Sequence, residues 1–181
     1  IALAKAKPGQ LNGGTVGEGG PTHLAVQLLN MVADIKTQPV PYKGTGPAVA
    51  DVVAGHLPAI FAGTAAIVQV RAGKTRMLAV TSEKRLAEIP DVPTFAEQGF
   101  PELTTEEWFG FYAPAATPKP VIAAANAAIN AALKEKSVID SLAVVGLVAR
   151  GSTPEELAQS LREQYDRWGP LVKRIGFTAD T

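Results

Sequence analysis

The chain contains no cysteine, which excludes disulfides, thiolate metal sites and a cysteine nucleophile. Histidine is scarce: His23 and His56 are the only two, too few for a histidine-based metal site without carboxylate help. Neither sign of charge dominates. Seventeen Lys and Arg balance seventeen Asp and Glu, which removes any global electrostatic case for nucleic acid or an anionic membrane. There is no run of about 18 apolar residues, so no membrane-spanning helix is expected. Gly-x-Ser-x-Gly and His-Glu-x-x-His are both missing. Gly73-Lys-Thr75 mimics a phosphate loop, but that motif needs a glycine at position 68, where valine stands.

What remains is apolar and regularly punctuated. Of 181 residues, 46% are hydrophobic and 19% charged, so a substantial core is expected in one large domain or two small ones. The stretch Thr15-Val-Gly-Glu-Gly-Gly-Pro-Thr-His23 organises the reading. A strand-like run, Gln10-Leu-Asn12, enters it and an apolar-periodic helix from Leu24 leaves it. Gly17, Gly19 and Gly20 allow a tight turn and close approach of a ligand to the backbone. Pro21 suits the first helical position. Free N–H groups at such a helix start favour a carboxylate or phosphate, and the hydroxyls of Thr15 and Thr22 offer further hydrogen bonds. His23 reads first as a residue that orients this loop by hydrogen bonding, then as a ligand contact, and last as a general base.

The pattern repeats. Gln38–Lys43 is a short second strand whose two prolines predict an edge position or an incomplete strand. Gly44-Thr-Gly46-Pro47 opens a second helix that Gly55 ends. Leu57–Phe61 is a third strand, Gly63-Thr64 a third turn, Ala65–Ala72 a third helix, and Met77–Thr81 a fourth strand. Strand, glycine turn and helix in alternation predict βαβ units and a mostly parallel sheet with helices on both faces. In such a sheet the turns at 15–22, 43–45 and 62–64 gather at the carboxyl edge, where open α/β sheets bind ligands.

Ser82–Pro93 reads as an exposed loop, and Arg71, Lys74 and Arg76 as a solvated basic cluster. Thr94–Gln98 is a short helix stopped by Gly99, and Glu107–Ala113 is an aromatic strand with a core role. Thereafter the chain is helical. Thr117-Pro118 opens an alanine-rich helix and Ser137 caps a shorter one. Thr153-Pro-Glu-Glu156 has the capping-box pattern. The helix it opens carries Leu157, Leu161, Tyr165, Trp168, Val172 and Ile175 as a buried stripe, with a kink expected at Gly169-Pro170. The start, Ile1–Lys7, reads as the end of a helix that begins before this sequence.

Together these residues resemble a known family. Thr15-Val-Gly-x-Gly-x-x-Thr-His-Leu24, Val40-Pro-Tyr-Lys-Gly44, Gly73-Lys-x-Arg-x-Leu-Ala-Val-Thr-Ser82, Ile89-Pro-Asp-Val-Pro-Thr94, Trp108-Phe-Gly110 and Gly151-Ser-Thr-Pro-Glu-Glu156 are similar to the Bug, or TctC-like, family. Its members are the extracytoplasmic receptors of tripartite tricarboxylate transporters. The resemblance implies a periplasmic-binding-protein-like α/β fold and a periplasmic protein exported by a signal peptide that this sequence does not include. It implies a receptor, not an enzyme, that captures a small organic acid without a cofactor and hands it to the transporter's membrane components. It also divides the chain. Residues 1–9 end a helix from a preceding part, residues 10–105 form the ligand-binding α/β domain, and residues 106–181 return to an incomplete first domain.

Carried over, the ligand contacts are Thr15, Gly17, Gly19, Gly20, Thr22 and His23, with Tyr42, Lys43 and Gly44 beside them and Gly63 and Thr64 on the third turn. Two departures stand out. Members commonly have serine where this chain has Gly20 or Pro21. Many carry Asp or Asn where it has Ala62-Gly63, which argues against a ligand with an amino group. Two other readings remain open at this stage: a sensor or interaction fragment that self-associates through apolar helix faces, and an enzyme acting on a carboxylate in the same cleft.

Overall fold

The computed structural model describes residues 1–144 and 146–178. Val145 and the last three residues of the expected return segment lie outside the described residues. Three parallel strands form the sheet, in the order β2-β1-β3: β1 (Leu11–Val16), β2 (Thr37–Tyr42) and β3 (Ala59–Ile60). Helix α2 (Pro21–Val32) connects β1 to β2, and α3 (Thr45–Val53) connects β2 to β3. The alternation read from the glycine turns is therefore the architecture, a periplasmic-binding-protein-like α/β fold.

Adjacent residues of a strand face opposite sides of the sheet. Val26 of α2 lies over Gly13, and Leu57, just after α3, lies over Gly14. Both faces of β1 are thus covered. Val26, Ala25, Ala48 and Leu57 are all buried there. A second cluster joins Ala4 of α1 (Ala2–Ala6) to Ala33 and Ile35, with Leu11, Leu29 and Phe100 packed against it.

The expected edge position of the proline strand holds, and its geometry has a reason. Gly17 donates its N–H to the carbonyl of Tyr42 at 3.0 Å, so Tyr42 faces β1. Orientation alternates along a strand, so Pro39 and Pro41 turn their nitrogens away from β1. The missing donors fall on the open edge, where the sheet loses no ladder bond.

Three expectations in this half need correction. Leu57–Phe61 contributes only Ala59–Ile60 to the sheet, because Pro58 has no N–H and that of Leu57 is bonded to Asp51 O at 3.2 Å. Met77–Thr81 is not a fourth strand. It makes a single parallel bridge, Val80 to Thr94, with Val80 N–H on Pro93 O and Phe95 N–H on Val80 O. The bridge cannot lengthen, because Pro93 lacks a donor and Thr94 turns the chain. Thr94 and Glu97 close a capping box there, Thr94 N–H on Glu97 Oε2 at 2.7 Å and Glu97 N–H on Thr94 Oγ1 at 3.0 Å. Ser82–Pro93 is more than an exposed loop. Its Ile89 is buried with Ile67 and Val80, and Leu86, Val92 and Met77 pack around them. The third helix is a 3-10 turn, Thr64–Ala66, running into α4 (Ile67–Arg71).

The chain forms two compact units, Ile1–Glu107 with the segment from Leu171 onward, and Trp108–Pro170. The second unit holds α5 (Lys119–Ala132), α6 (Lys136–Val144) and most of α7 (Pro154–Ile175). Asn126 and Asn130 of α5 donate to the carbonyl of Ser152 at 2.9 and 3.0 Å. Helix α7 then opens with the expected capping box: Thr153 N–H meets Glu156 Oε2 at 2.8 Å, and Glu156 N–H meets Thr153 Oγ1 at 3.1 Å. Ser137 does not cap α6. It lies inside it, one residue after Lys136, which pairs with Asp140 at 2.6 Å.

Two further expectations fail in this unit. Glu107–Ala113 is no strand, and its aromatics form no core: Phe109, Phe111 and Tyr112 are 74%, 75% and 64% exposed. No described strand lies beside the segment to pair with it. The stripe on α7 is only partly covered: Leu157, Trp168, Val172 and Ile175 are half-buried, while Leu161 and Tyr165 are exposed. Pro170 stands within α7.

Candidate functional site

The turn after β1 is built from the strand end, three glycines and the first turn of α2. Gly17 and Gly19 adopt φ of 77° and 70°, the left-handed region that glycine enters without strain. Gly20 is the residue before the helix, and Pro21 is its first residue, as the Gly-Pro pair predicts. No side chain caps this helix start, and the N–H groups of a helix's first turn have no partner within the helix.

Two side chains hold the turn. The hydroxyl of Thr22 accepts the N–H of Val16 at 2.7 Å and donates back to the carbonyl of Val16 at 3.2 Å. It stitches the helix start to the strand end, so its proton serves the fold. His23 is 9% exposed, and its Nδ1 accepts the N–H of Gly19 at 2.9 Å. With a lone pair required at Nδ1, a neutral ring carries its proton on Nε2, and the Gln27 amide 3.3 Å away can accept it only with its oxygen turned toward the ring. His23 therefore orients the loop by hydrogen bonding, the first of the roles its position suggests.

Thr15 departs from its expected place. It is the fifth residue of β1 and only 1% exposed, so it belongs to the sheet interior and not to the surface of the turn. Its hydroxyl has no hydrogen-bond partner among the described residues.

At the end of β2, Lys43 is exposed and Gly44 precedes α3 with φ 116°. Helix α3 also starts without a side-chain cap. Tyr42 donates its hydroxyl to Asp51 Oδ2 at 2.7 Å, and His56 Nδ1 lies 3.5 Å from Asp51 Oδ1. The Tyr42 bond holds the Asp51 carboxyl below its ordinary range, with His56 adding to it against partial desolvation. The same bond raises Tyr42 above its ordinary value. After β3, Gly63 precedes the short turn that Thr64 opens, and both are exposed. All three turns follow parallel strands, so all lie at one edge of the sheet.

The sequence reading missed Asp51, Gln27 and Phe177. Asp51 sits on a helix with no motif to mark it. The Phe177 ring stands edge-on to His23, with ring centres 6.1 Å apart, and no spacing rule links two residues so distant in sequence. Among the described residues, no group of three His, Cys, Asp or Glu is placed to hold a metal, and no helix is long and apolar enough to cross a membrane.

Residues 1–177 match the family described as "Tripartite tricarboxylate transporter family receptor". The chain is 33% identical over 177 residues to BugT of Bordetella pertussis, covering 97% of this chain and 54% of BugT. It thus spans about half the length of the first curated relatives it matches, 54% in each case. A solved structure described as a periplasmic transporter shares 39% identity at a TM-score of 0.86, over 99% of this chain and 60% of that one. The structure of Rpa4515 from R. palustris with adipate shares 28% identity at a TM-score of 0.80, over 97% of this chain and 59% of that one. The expected resemblance is therefore met along nearly the whole length described, and the chain belongs to the receptor family of the tripartite tricarboxylate transporters.

Proposed function

We propose that the chain is the carboxylate-capturing part of a periplasmic solute receptor serving a tripartite tricarboxylate transporter. One observation carries the reading. Two helices, α2 and α3, start without side-chain caps at the same sheet edge, with the exposed Lys43 beside the second. Open N–H groups, two positive helix ends and a cation together favour an anion with a flat, hydrogen-bond-accepting head. Gly20, Thr22, His23, Lys43 and Gly44 are the proposed contacts, and Gly17 and Gly19 give the turn its shape. Gly63 and Thr64 lie along the ligand's far end. Ala62 and Gly63 offer no carboxylate there, so a plain dicarboxylate such as adipate fits better than a zwitterion.

Calorimetry with succinate, malate, adipate, citrate and glutamate tests this. A dicarboxylate is expected to bind best, and Lys43→Met to weaken it about tenfold, the scale of one lost charged hydrogen bond. Tighter binding of glutamate than of every plain acid would sink the proposed selectivity. Heat for none of the five would sink the carboxylate reading.

The second unit supports a separate reading. Its exposed Phe109, Phe111, Tyr112, Leu161 and Tyr165 favour self-association of this chain. An elution volume independent of concentration would rule it out.

A further inference from the structure

We propose that Phe177 is a positioning residue for the glycine turn: its ring holds the His23–Gly19 hydrogen bond in place. The ring is itself fixed. Helix α7 ends with Gly176 at φ 66°, Gly176 N–H on Lys173 O and Phe177 N–H on Val172 O, both at 3.2 Å. This paired closure of a helix end sets the backbone of the residue that follows the glycine. The side chain of Phe177 then lands on the turn. A Cβ at Gly19 would come within 2.5 Å of Phe177 Cε1 and closer still to Cζ, so the ring occupies space that only a glycine leaves free. Its contact with His23 is edge-to-face, at an interplanar angle of 88°.

The contact has a specific target. His23 and Gly19 are the two ends of one bond, and Phe177 touches both. A hydrogen bond shielded from water is stronger than one competing with it. Holding Gly19 N–H on the imidazole fixes the Glu18–Gly19 peptide, two residues before the start of α2. The ring therefore pre-organises the turn without donating anything to a ligand. Only the binding arm of the test rests on the carboxylate reading.

The experiment is amide hydrogen exchange by NMR on the 15N-labelled chain, wild type against Phe177→Ala and Phe177→Leu, with adipate titrations alongside. Phe61 N–H, just after β3, which donates to Gly14 O of β1 at 2.9 Å, is the reference amide. In Phe177→Ala, protection of Gly19 is expected to fall about tenfold or more while Phe61 is unchanged, and the His23 ring nitrogens to shift. Adipate affinity is expected to fall alongside. Phe177→Leu, which keeps apolar bulk without the ring edge, is expected to lie between the two, and it decides by the same criterion if the alanine variant does not fold. Unchanged protection of Gly19 overturns the proposal. So does equal loss at Gly19 and Phe61, because the ring would then stabilise the unit as a whole. Absence of adipate binding in the wild type counts against the carboxylate reading alone, and the exchange result still decides the role of Phe177.

Discussion

The hydroxyl of Tyr42, at the end of β2, donates to Oδ2 of Asp51 in α3 at 2.7 Å. A hydroxyl whose proton is held by a carboxylate cannot also offer it to a ligand carboxylate. Tyr42 therefore anchors α3 beside the site. Tyr42→Phe is expected to lower the melting temperature while leaving dicarboxylate affinity within about twofold.

The same pair predicts a pH window. Asp51 titrates below its ordinary 3.8 in the folded chain, so its contribution is present above that value and is lost as pH falls through the folded one. Tyr42 titrates above its ordinary 10.0, so its contribution is present below that value and is lost as pH rises through the folded one. The melting-temperature difference between wild type and Tyr42→Phe should close at both ends and be widest between them. A difference that does not change with pH would contradict the assignment.

Thr22 makes two bonds to Val16, and Thr22→Val breaks both. The N–H of Val16 is then left without its partner, at an expected cost of about 1–2 kcal/mol. Thr22→Ser keeps the hydroxyl and should recover most of the loss. Urea denaturation of the three proteins measures it.

Neighbouring glycines in β1 should respond oppositely to alanine. At Gly14 the new methyl would sit 2.5 Å from Leu57 Cδ2 and 2.7 Å from Ile60 Cγ2. Both side chains lie in the packed face of the sheet, so Gly14→Ala should destabilise by about 1–3 kcal/mol. At Gly13 the nearest atoms are 3.8 Å away, which is ordinary contact. Gly13→Ala should be neutral or stabilising by up to about 1 kcal/mol, through the unfolded chain. Equal losses at the two positions would contradict the packing described.

In the second unit, Thr153→Ala removes the acceptor of Glu156 N–H at the start of α7. The expected cost is about 0.5–2 kcal/mol. Circular dichroism should show earlier fraying of α7 on heating, and Thr153→Ser should behave like wild type.

What could be read from the sequence was local. Gly20-Pro21 announced the start of α2, Thr153 to Glu156 the start of α7, and the two prolines of β2 its edge position, because each acts through the backbone of its own residues. Met77–Thr81 misled because β-branched, apolar residues fit a strand only where a neighbour supplies donors, and Pro93 does not. Trp108–Tyr112 misled for a related reason: an aromatic run is a core only if something covers all of it, and Phe109, Phe111 and Tyr112 stay exposed although Leu157 of α7 reaches Gly110. At the site, the orienting role of His23 was within reach of the sequence, since four residues join it to Gly19. The burial of Thr15 was not, because strand β1 runs further into the glycine segment than its composition suggests. The Tyr42–Asp51 and His23–Phe177 contacts depend on where whole helices end, which no short pattern encodes.

The outward prolines of β2 also bear on how copies of this chain meet. An unprotected outer strand is a template on which a second chain can lengthen the sheet, and amyloid-like growth begins at such rims. Here Pro39 and Pro41 interrupt the outward row of donors at successive outward-facing positions. An incoming strand would find carbonyls there but no N–H groups to answer its own. Growth from this rim is blocked by covalent structure alone, whatever the charge or salt of the surroundings.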